Sequence, residues 1–221
     1  MLDLCENSAS YIRSLAAYQP GKPISELERE LGITNIVKLA SNENPLGVSP
    51  LVLQHLQAIL PEIARYPDGN GFALKQALCE FHSNIQLNEN QIVLGNGSND
   101  VLEIVAKAFL KPEDEAIYAR YAFAVYPLAT QAAGAKGRCT AAKNFGHDLD
   151  AMLDAINSRT RVIFIANPNN PSGTFLTGAA LLDFVKAVPE NILIVLDEAY
   201  CEYLPPDLRI DTPSWINRFP N

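Results

Sequence analysis

Hydrophobic residues follow two alternating patterns along the second half of this chain. Short continuous runs rich in β-branched residues, such as Val162–Ala166 and Ile192–Leu196, predict strands that are buried on both faces. Between these runs apolar residues recur at helical spacing, which predicts helices with one buried face. Strands that alternate with helices of these lengths are typical of βαβ units. The pattern therefore predicts an α/β protein with a mostly parallel sheet.

The same patterning predicts the individual elements. Predicted strands are Ile36–Ala40, Ile92–Leu94, Ala116–Tyr118, Ala135–Thr140, Val162–Ala166 and Ile192–Leu196. Predicted helices are Ser25–Leu31, Pro50–Leu60, Phe72–Phe81, Val101–Phe109, Phe123–Ala133, Leu149–Ile156 and Ala179–Val188. Ser49 followed by Pro50 is typical of a helix cap with proline in the first turn. Residues 201–221 show no clear periodicity, so we predict no regular element there.

Two regions of the chain differ in character. Residues 1–45 are predicted to form an N-terminal arm, because they combine the turn-rich segments Tyr18–Pro23 and Ser41–Pro50 with only one short helix. Residues 46–221 have the regular α/β pattern and the length of one domain. We therefore predict an arm at 1–45 followed by a single α/β domain at 46–221.

Composition narrows the class of protein. The chain is 48% hydrophobic and 19% charged, which is typical of a globular protein with an ordinary core. A net charge of −8 and a pI near 4.9 argue against nucleic acid or an anionic membrane as a partner. No apolar stretch approaches the roughly 20 residues that span a bilayer, and the first residues lack the features of a signal peptide. We expect a cytoplasmic protein.

Cysteines and histidines suggest no metal chemistry. The cysteines are far apart and lack CxxC spacing, so we expect reduced thiols. They are Cys5, Cys79, Cys139 and Cys201. His55 and His82 lie on or next to predicted helices, and we expect them at the surface. His147 lies in a predicted loop, and none of the three histidines belongs to a motif.

Polar segments follow two of the predicted strands. Asn167–Gly173 (NPNNPSG) comes directly after one strand, and Leu196–Tyr200 (LDEAY) closes the next. Ligands of open α/β sheets bind at the carboxyl ends of parallel strands. Asn170, Asp197 and Tyr200 are therefore candidates to converge on one small molecule.

A glycine-rich turn, Gly95–Asp100 (GNGSND), precedes a predicted helix. Its glycines let the backbone approach a ligand, and the free N–H groups of a helix start attract anions such as phosphate. The alternative is a tight βα turn capped by Ser98. A dinucleotide fingerprint would need glycine at Asp100, and the chain contains no Walker P-loop.

The acidic residue at the end of the last strand needs a partner. A carboxylate that follows five apolar residues costs free energy unless it meets a positive charge or several donors. A protonated pyridine nitrogen would be such a partner for Asp197, with Asn170 and Tyr200 donating to a neighbouring oxygen of the same ring. Alternatively, Asp197 caps the next element and Tyr200 belongs to the core.

The order of these motifs resembles that of the fold-type I pyridoxal-phosphate aminotransferases. Further segments are similar to the histidinol-phosphate aminotransferase family within that group: Lys38–Gly47, Arg65–Gly69, Gly95–Asp100 and Ala122–Ala135. The resemblance runs from about Tyr18 to Tyr203. It implies a three-layer α/β/α large domain that binds pyridoxal 5'-phosphate, and transamination between histidinol phosphate and 2-oxoglutarate in histidine biosynthesis. An aromatic amino-acid aminotransferase is the alternative within the group.

The resemblance also implies roles for single residues in cofactor binding. Gly97 and Ser98 match the loop that holds the cofactor phosphate, and Phe123 matches the aromatic residue that stacks on the pyridine ring. Asn170 and Tyr200 match the donors to the phenolic oxygen of that ring. Asp197 matches the partner of its nitrogen.

The remaining implied roles concern dimer and substrate contacts. Tyr66 resembles the tyrosine that reaches the cofactor phosphate of the other subunit, which implies a homodimer. Tyr18 and Asn42 lie in segments that approach the substrate in the family.

One departure from the family concerns its Schiff-base lysine. In the family this lysine follows the LDEAY segment by about thirty residues, whereas no lysine follows Lys186 here. Arg209 and Arg218 do not match the family's later arginines. We expect the chain to be an amino-terminal portion that is inactive alone, through truncation or a frameshift. The alternative is a natural non-catalytic module that binds cofactor or full-length subunits.

Overall fold

The fold is given by a computed structural model that describes residues 4–221. Within that range the α-helices are α1 (Ser10–Arg13), α2 (Ile24–Leu31), α3 (Pro50–Ile59), α4 (Phe72–Phe81), α5 (Gly97–Phe109), α6 (Val125–Ala132), α7 (Leu149–Asp154) and α8 (Gly178–Ala187). The strands are β1 (Glu115–Ala119), β2 (Lys136–Thr140), β3 (Ala142–Lys143), β4 (Gly146–His147), β5 (Thr160–Ala166) and β6 (Leu193–Asp197). None of the described helices is long and apolar enough to span a bilayer.

Four of the strands form one parallel sheet in the order β2-β1-β5-β6. The chain runs from β1 outward to β2, then crosses back over β1 to β5 and continues to β6. The strand order therefore reverses between β1 and β5. In open α/β sheets this switch point is where a crevice forms at the carboxyl ends of the strands.

Apolar side chains pack on both faces of the sheet, as expected for a three-layer α/β/α fold. Val162, Phe164 and Ala166 of β5 face a cluster with α5 and α6. Ile163 and Ile165, which alternate with them, face a second cluster with α7 and α8. Each fully buried side chain of this size contributes roughly 1.5–3 kcal/mol to folding. The predicted α/β fold with a mostly parallel sheet is thus confirmed.

The described chain divides into two compact units. One consists of residues 4–16 and 75–221 and contains the sheet, and the other consists of residues 17–74. In the second unit α2 and α3 are joined by turns, and none of its residues is buried. The predicted division between an arm at 1–45 and a domain at 46–221 stays a prediction.

Two predicted strands are wrong. Residues 36–40 and 92–94 have no regular secondary structure. An apolar run becomes a strand only when a neighbouring strand accepts and donates its backbone hydrogen bonds. Neither segment pairs with a strand of the described residues, and Val93 is exposed.

The placement of His147 is also wrong. It lies not in a loop but in β4, which pairs antiparallel with β3 and is a buried two-residue strand. Strands this short have no periodicity to detect. Residues 201–217 form a series of short 3₁₀ turns, as their lack of periodicity suggested.

Candidate functional site

The candidate site lies at the carboxyl ends of β1, β5 and β6. Backbone pairing aligns Ala166 of β5 with Asp197 of β6, and the Asn167 N–H donates to the Asp197 carbonyl at 2.9 Å. The NPNNPSG segment and the LDEAY segment therefore begin side by side. The structure thus places these two polar segments at the same edge of the sheet.

The NPNNPSG segment is a tightly tied loop. The Asn167–Pro168 and Asn170–Pro171 peptide bonds are both cis. The Asn167 side chain is buried and accepts a hydrogen bond from the Leu176 N–H at 2.7 Å, which closes the loop on itself. Because this loop is tied at its base, the position of Asn170 is set by the backbone.

Asn169 connects this loop to the segment after β1. Its Nδ2 donates to the Tyr121 carbonyl at 2.9 Å and to the Ser172 hydroxyl at 2.7 Å, and its side chain is buried. Tyr121 lies just after β1, so the bond spans the switch point between β1 and β5. Asn169 was not singled out from the sequence, where it looks like any other asparagine of a turn.

Asn170 and Tyr200 lie together. The Asn170 Nδ2 donates to the Tyr200 hydroxyl at 3.4 Å, and both side chains are half-buried. Two groups capable of donating hydrogen bonds thus sit beside each other at the end of β5 and β6. The structure brings these two predicted site residues into direct contact.

The Asp197 carboxylate is held by neutral donors. The Tyr126 hydroxyl donates to its Oδ2 at 2.8 Å, and the Ala199 N–H donates to its Oδ1 at 3.2 Å. Among residues 4–221, no lysine, arginine or histidine forms an ion pair with it. The charge of this half-buried carboxylate is therefore available to a cation at the edge of the sheet.

Tyr126 is a site residue that the sequence analysis missed. It is fully buried in α6, stacks on Phe164 with ring centroids 4.9 Å apart, and packs at right angles to the ring of Phe123 with ring centroids 5.9 Å apart. Burial, and then the charge of Asp197, raise its pKa, so the hydroxyl keeps its proton and donates. The only sequence signal was its position three residues after Phe123, one helical turn away.

The segment Gly95–Asp100 forms the start of α5. Gly97 has a φ of +74°, and the Asp100 carboxylate accepts from the Asn96 N–H at 2.9 Å. A Cβ on Gly95 would lie 2.8 Å from the Cβ of Asp100, so that position needs glycine. Asn96, not Ser98, occupies the N-cap position, so the predicted cap by Ser98 is wrong, while the roles of Gly97 and Ser98 in phosphate binding stay predictions.

Tyr18, Asn42 and Tyr66 lie in the unit of residues 17–74. All three are exposed, and Tyr66 has a side chain with full solvent access. Asn42 has a φ of +50°, which asparagine tolerates better than most residues. Their implied roles stay predictions.

Two titratable groups near the end of the sheet have shifted pKa values. His147 Nε2 lies 3.0 Å from the Ala166 carbonyl, and its Nδ1 is buried without a partner among the described residues. Burial lowers the pKa of His147, so the ring is neutral and Nε2–H donates to Ala166. Burial raises the pKa of Glu198, which also accepts from the Thr212 hydroxyl at 2.5 Å.

Lys186, Arg209 and Arg218, the basic residues that match no motif of the family, interact with other parts of the chain. The Lys186 Nζ lies 3.1 Å from Asp183 on the same helix. Arg209 donates to two backbone carbonyls that precede it, and Arg218 lies over the ring of Phe219. None of these three residues contacts the residues of the candidate site described above.

Comparison with known proteins gives one family. The family model described as aminotransferase class I and II matches residues 34–217. Histidinol-phosphate aminotransferase 2 from Nitrosospira multiformis is 54% identical over 222 residues, which cover 100% of this chain and 56% of that protein. Histidinol-phosphate aminotransferase from Methylobacillus flagellatus is 56% identical over 223 residues, 100% of this chain and 60% of that protein.

Solved structures have the same fold. The crystal structure of histidinol-phosphate aminotransferase from Sinorhizobium meliloti in complex with pyridoxal-5'-phosphate matches with a TM-score of 0.82 and 25% identity, over 94% of this chain and 55% of that chain. The present chain therefore spans between 55% and 60% of the length of these three proteins.

Proposed function

Because the chain belongs to the aminotransferase class I and II family, we propose that its site serves the exchange of an amino group between histidinol phosphate and 2-oxoglutarate. The observation that carries this proposal is the grouping of Asp197, Asn170 and Tyr200 at one edge of the sheet. It is supported by the 54% identity, over the whole chain, to a protein described as histidinol-phosphate aminotransferase. The activity is proposed for a protein of which these residues form part.

The cofactor of this proposal is pyridoxal 5'-phosphate. When bound, it supplies an electron sink that stabilises negative charge on the carbon that exchanges the amino group. The donor set fits its ring, because Asp197 offers a carboxylate held by neutral donors and Asn170 and Tyr200 offer donors beside it. A cationic ring nitrogen and a phenolic oxygen are the groups that such a set complements.

Each residue has a distinct part in holding the ring. Asp197 keeps the ring nitrogen protonated, because a carboxylate nearby favours the charged form of a base. Asn170 and Tyr200 donate hydrogen bonds to the phenolic oxygen and set the orientation of the ring. Phe123, half-buried and braced against Tyr126, provides an aromatic face for stacking.

The phosphate and the second subunit complete the proposal. Gly97 and Ser98 at the start of α5 bind the phosphate through backbone N–H groups and the hydroxyl, helped by the helix dipole. Tyr66 reaches the phosphate bound to the partner subunit of a homodimer, and Tyr18 and Asn42 approach the substrate. A cytoplasmic location also belongs to this proposal, since the scattered cysteines suggest reduced thiols.

Calorimetric titration of the 221-residue chain with pyridoxal 5'-phosphate tests the cofactor part. We expect saturable binding that Asn170→Ala and Ser98→Ala both weaken, while Asp183→Asn on the exposed face of α8 has no effect. An affinity that none of the site variants changes would contradict the proposal.

Substrate choice is tested separately, by amino transfer to 2-oxoglutarate in the protein as isolated from its host. Histidinol phosphate is expected to be a better amino donor than phenylalanine. A preference for phenylalanine would favour the aromatic aminotransferase alternative.

A further inference from the structure

One buried side chain contacts two of the proposed cofactor-binding residues. Tyr126 is 0% exposed, its hydroxyl lies 2.8 Å from Asp197 Oδ2, and its ring packs at right angles to that of Phe123. The hydrogen bond joins residues 71 positions apart in the sequence. Buried hydroxyl groups are almost always hydrogen-bonded. The Tyr126 hydroxyl donates to the Asp197 carboxylate at the edge of the sheet rather than to a nearby backbone carbonyl.

The ring of Tyr126 is fixed independently of its hydroxyl. It stacks on Phe164 at an interplanar angle of 9°, and Phe164 is itself fully buried in β5. The hydroxyl therefore reaches Asp197 from a rigid base. Burial raises the pKa of Tyr126, so its proton stays in place and the direction of the bond is settled: Tyr126 donates and Asp197 accepts.

We propose that Tyr126 is a positioning residue, whose hydroxyl holds the Asp197 carboxylate turned toward the ring nitrogen of pyridoxal 5'-phosphate. This inference rests on the proposed function. Each carboxylate oxygen can accept more than one hydrogen bond, so the donors from Tyr126 and Ala199 leave lone pairs for the ring nitrogen. Without the tyrosine donor, the carboxylate is free to rotate toward water.

A substitution can test the hydroxyl of Tyr126 separately from the packing of its ring. Tyr126→Phe keeps the ring, its stack on Phe164 and its contact with Phe123, and removes only the hydroxyl. Tyr118→Phe is a matched control, because Tyr118 is a half-buried tyrosine on the same face of the sheet and its hydroxyl forms no hydrogen bond within residues 4–221. A loss caused only by removing a hydroxyl would appear in both variants.

The test is a calorimetric titration of each variant with two compounds. These are pyridoxal 5'-phosphate and its 1-deaza analogue, in which carbon replaces the ring nitrogen. We expect the wild-type chain to prefer pyridoxal 5'-phosphate, and Tyr126→Phe to reduce that preference by roughly tenfold or more, as for the loss of a hydrogen bond to a charged group. Tyr118→Phe should keep the wild-type preference.

The other outcomes are distinct. An equal loss of affinity for both compounds in Tyr126→Phe means that the hydroxyl only supports packing, and overturns the inference. An unchanged preference also overturns it. Wild-type chain that binds neither compound overturns the proposed function itself, and the inference with it.

A measurement on the wild-type chain covers the case in which Tyr126→Phe does not fold. In an NMR experiment with ¹³C-labelled tyrosine, adding pyridoxal 5'-phosphate should move the Cζ signal of Tyr126 more than that of Tyr118. The 1-deaza analogue should move the Tyr126 signal less, because it offers Asp197 no ring nitrogen. A Tyr126 signal that responds equally to both compounds, or to neither, would overturn the inference.

Discussion

The parallel sheet holds an acidic side chain at each end, and the two are satisfied in different ways. Glu115 at the amino end of β1 is 1% exposed and pairs with Arg138 at 2.7 Å and Arg159 at 2.6 Å, while Asn157 donates to it at 2.8 Å. Among residues 4–221, Asp197 at the carboxyl end of β6 accepts hydrogen bonds from a hydroxyl and a backbone N–H and forms no ion pair. Both carboxylates end up hydrogen-bonded, but only one is neutralised.

The difference separates a structural end from a functional end. The hydrogen bonds from Arg138 and Asn157 lower the pKa of Glu115 to about 2, with the two guanidinium charges adding to the effect. The arginine side chains, 41% and 57% exposed, cover the carboxylate at the rim of the sheet. The charge of Glu115 is therefore neutralised within the protein, without a ligand. At the other end, Asp197 keeps a charge that no ion pair neutralises, close to the Asn170 amide and the Tyr200 hydroxyl. A few polar groups that converge in this way are typical of a binding site.

The largest expected effect is on cofactor affinity, from a substitution at the carboxyl end of the sheet. Asp197→Asn keeps the size and most hydrogen bonds of the side chain but removes its charge. Pyridoxal 5'-phosphate should then bind about 100-fold more weakly, because a partly desolvated charge pair loses one partner. Calorimetric titration measures the affinity, and urea unfolding should change by less than about 1 kcal/mol. A large loss of stability with unchanged affinity would reverse the comparison.

The structural end should respond in the opposite way. Glu115→Gln leaves two arginines without their carboxylate, and we expect a loss of about 2 kcal/mol in the free energy of unfolding at pH 7 with unchanged cofactor affinity. The exposed pair of Glu103 with Lys107 supplies the control, since Glu103→Gln should cost less than about 0.5 kcal/mol.

The pH dependence sharpens that prediction. Because the pKa of Glu115 falls from 4.5 to about 2 on folding, its contribution is present above pH 4.5 and is lost as the pH falls toward 2. The difference in unfolding free energy between wild type and Glu115→Gln should therefore shrink across this range. A difference that is constant with pH would argue against the ion pairs as its cause.

A smaller effect is expected where the strand ends are tied together. Asn169→Ala removes the hydrogen bond to the Tyr121 carbonyl, which spans the switch point between β1 and β5. We expect about 1 kcal/mol lower stability and a few-fold weaker cofactor binding. Ser172→Ala keeps this bond and loses the hydrogen bonds of the Ser172 hydroxyl with Asn169 and Thr174, so it should change both quantities less.

The smallest effect concerns His147 beneath the site. Burial lowers its pKa below the ordinary value of 6.5, so the unfolded chain binds a proton more readily than the folded chain. Its neutral ring should thus favour folding above pH 6.5, and stability should decline as the pH falls below that value. His147→Gln should flatten this decline in urea unfolding measured between pH 7.5 and 5.5, and an unchanged profile would assign the decline to other groups.

Much of the fold was predictable because it follows from hydrophobic periodicity and turn residues within short stretches of the sequence. The runs that became β5 and β6, and the helix α4, were predicted to within about two residues. Periodicity reports burial on one or two faces, and turn residues mark where the chain must bend. The position of Asn170 and Asp197 at the carboxyl ends of paired strands followed from the same patterns. Residues 36–40 and 92–94 had the pattern of a strand but no partner.

The contacts that define the two ends of the sheet were not predictable. Tyr126 and Asp197 are 71 residues apart, and Asn157 and Glu115 are 42 apart. His147 and Asn169 carry no periodic signal at all. Which strands become neighbours depends on how helices pack across both faces of the sheet, which no local window contains.

The sequence by itself determined the class of fold, the polar strand ends and the resemblance that gives them a chemistry, because those depend on residues close together along the chain. Tertiary structure alone decided which carboxylate is neutralised and which keeps its charge. That distinction depends on which distant side chains the strand order β2-β1-β5-β6 brings within hydrogen-bonding distance. Arginines reach the amino end of the sheet, and a buried tyrosine reaches the carboxyl end.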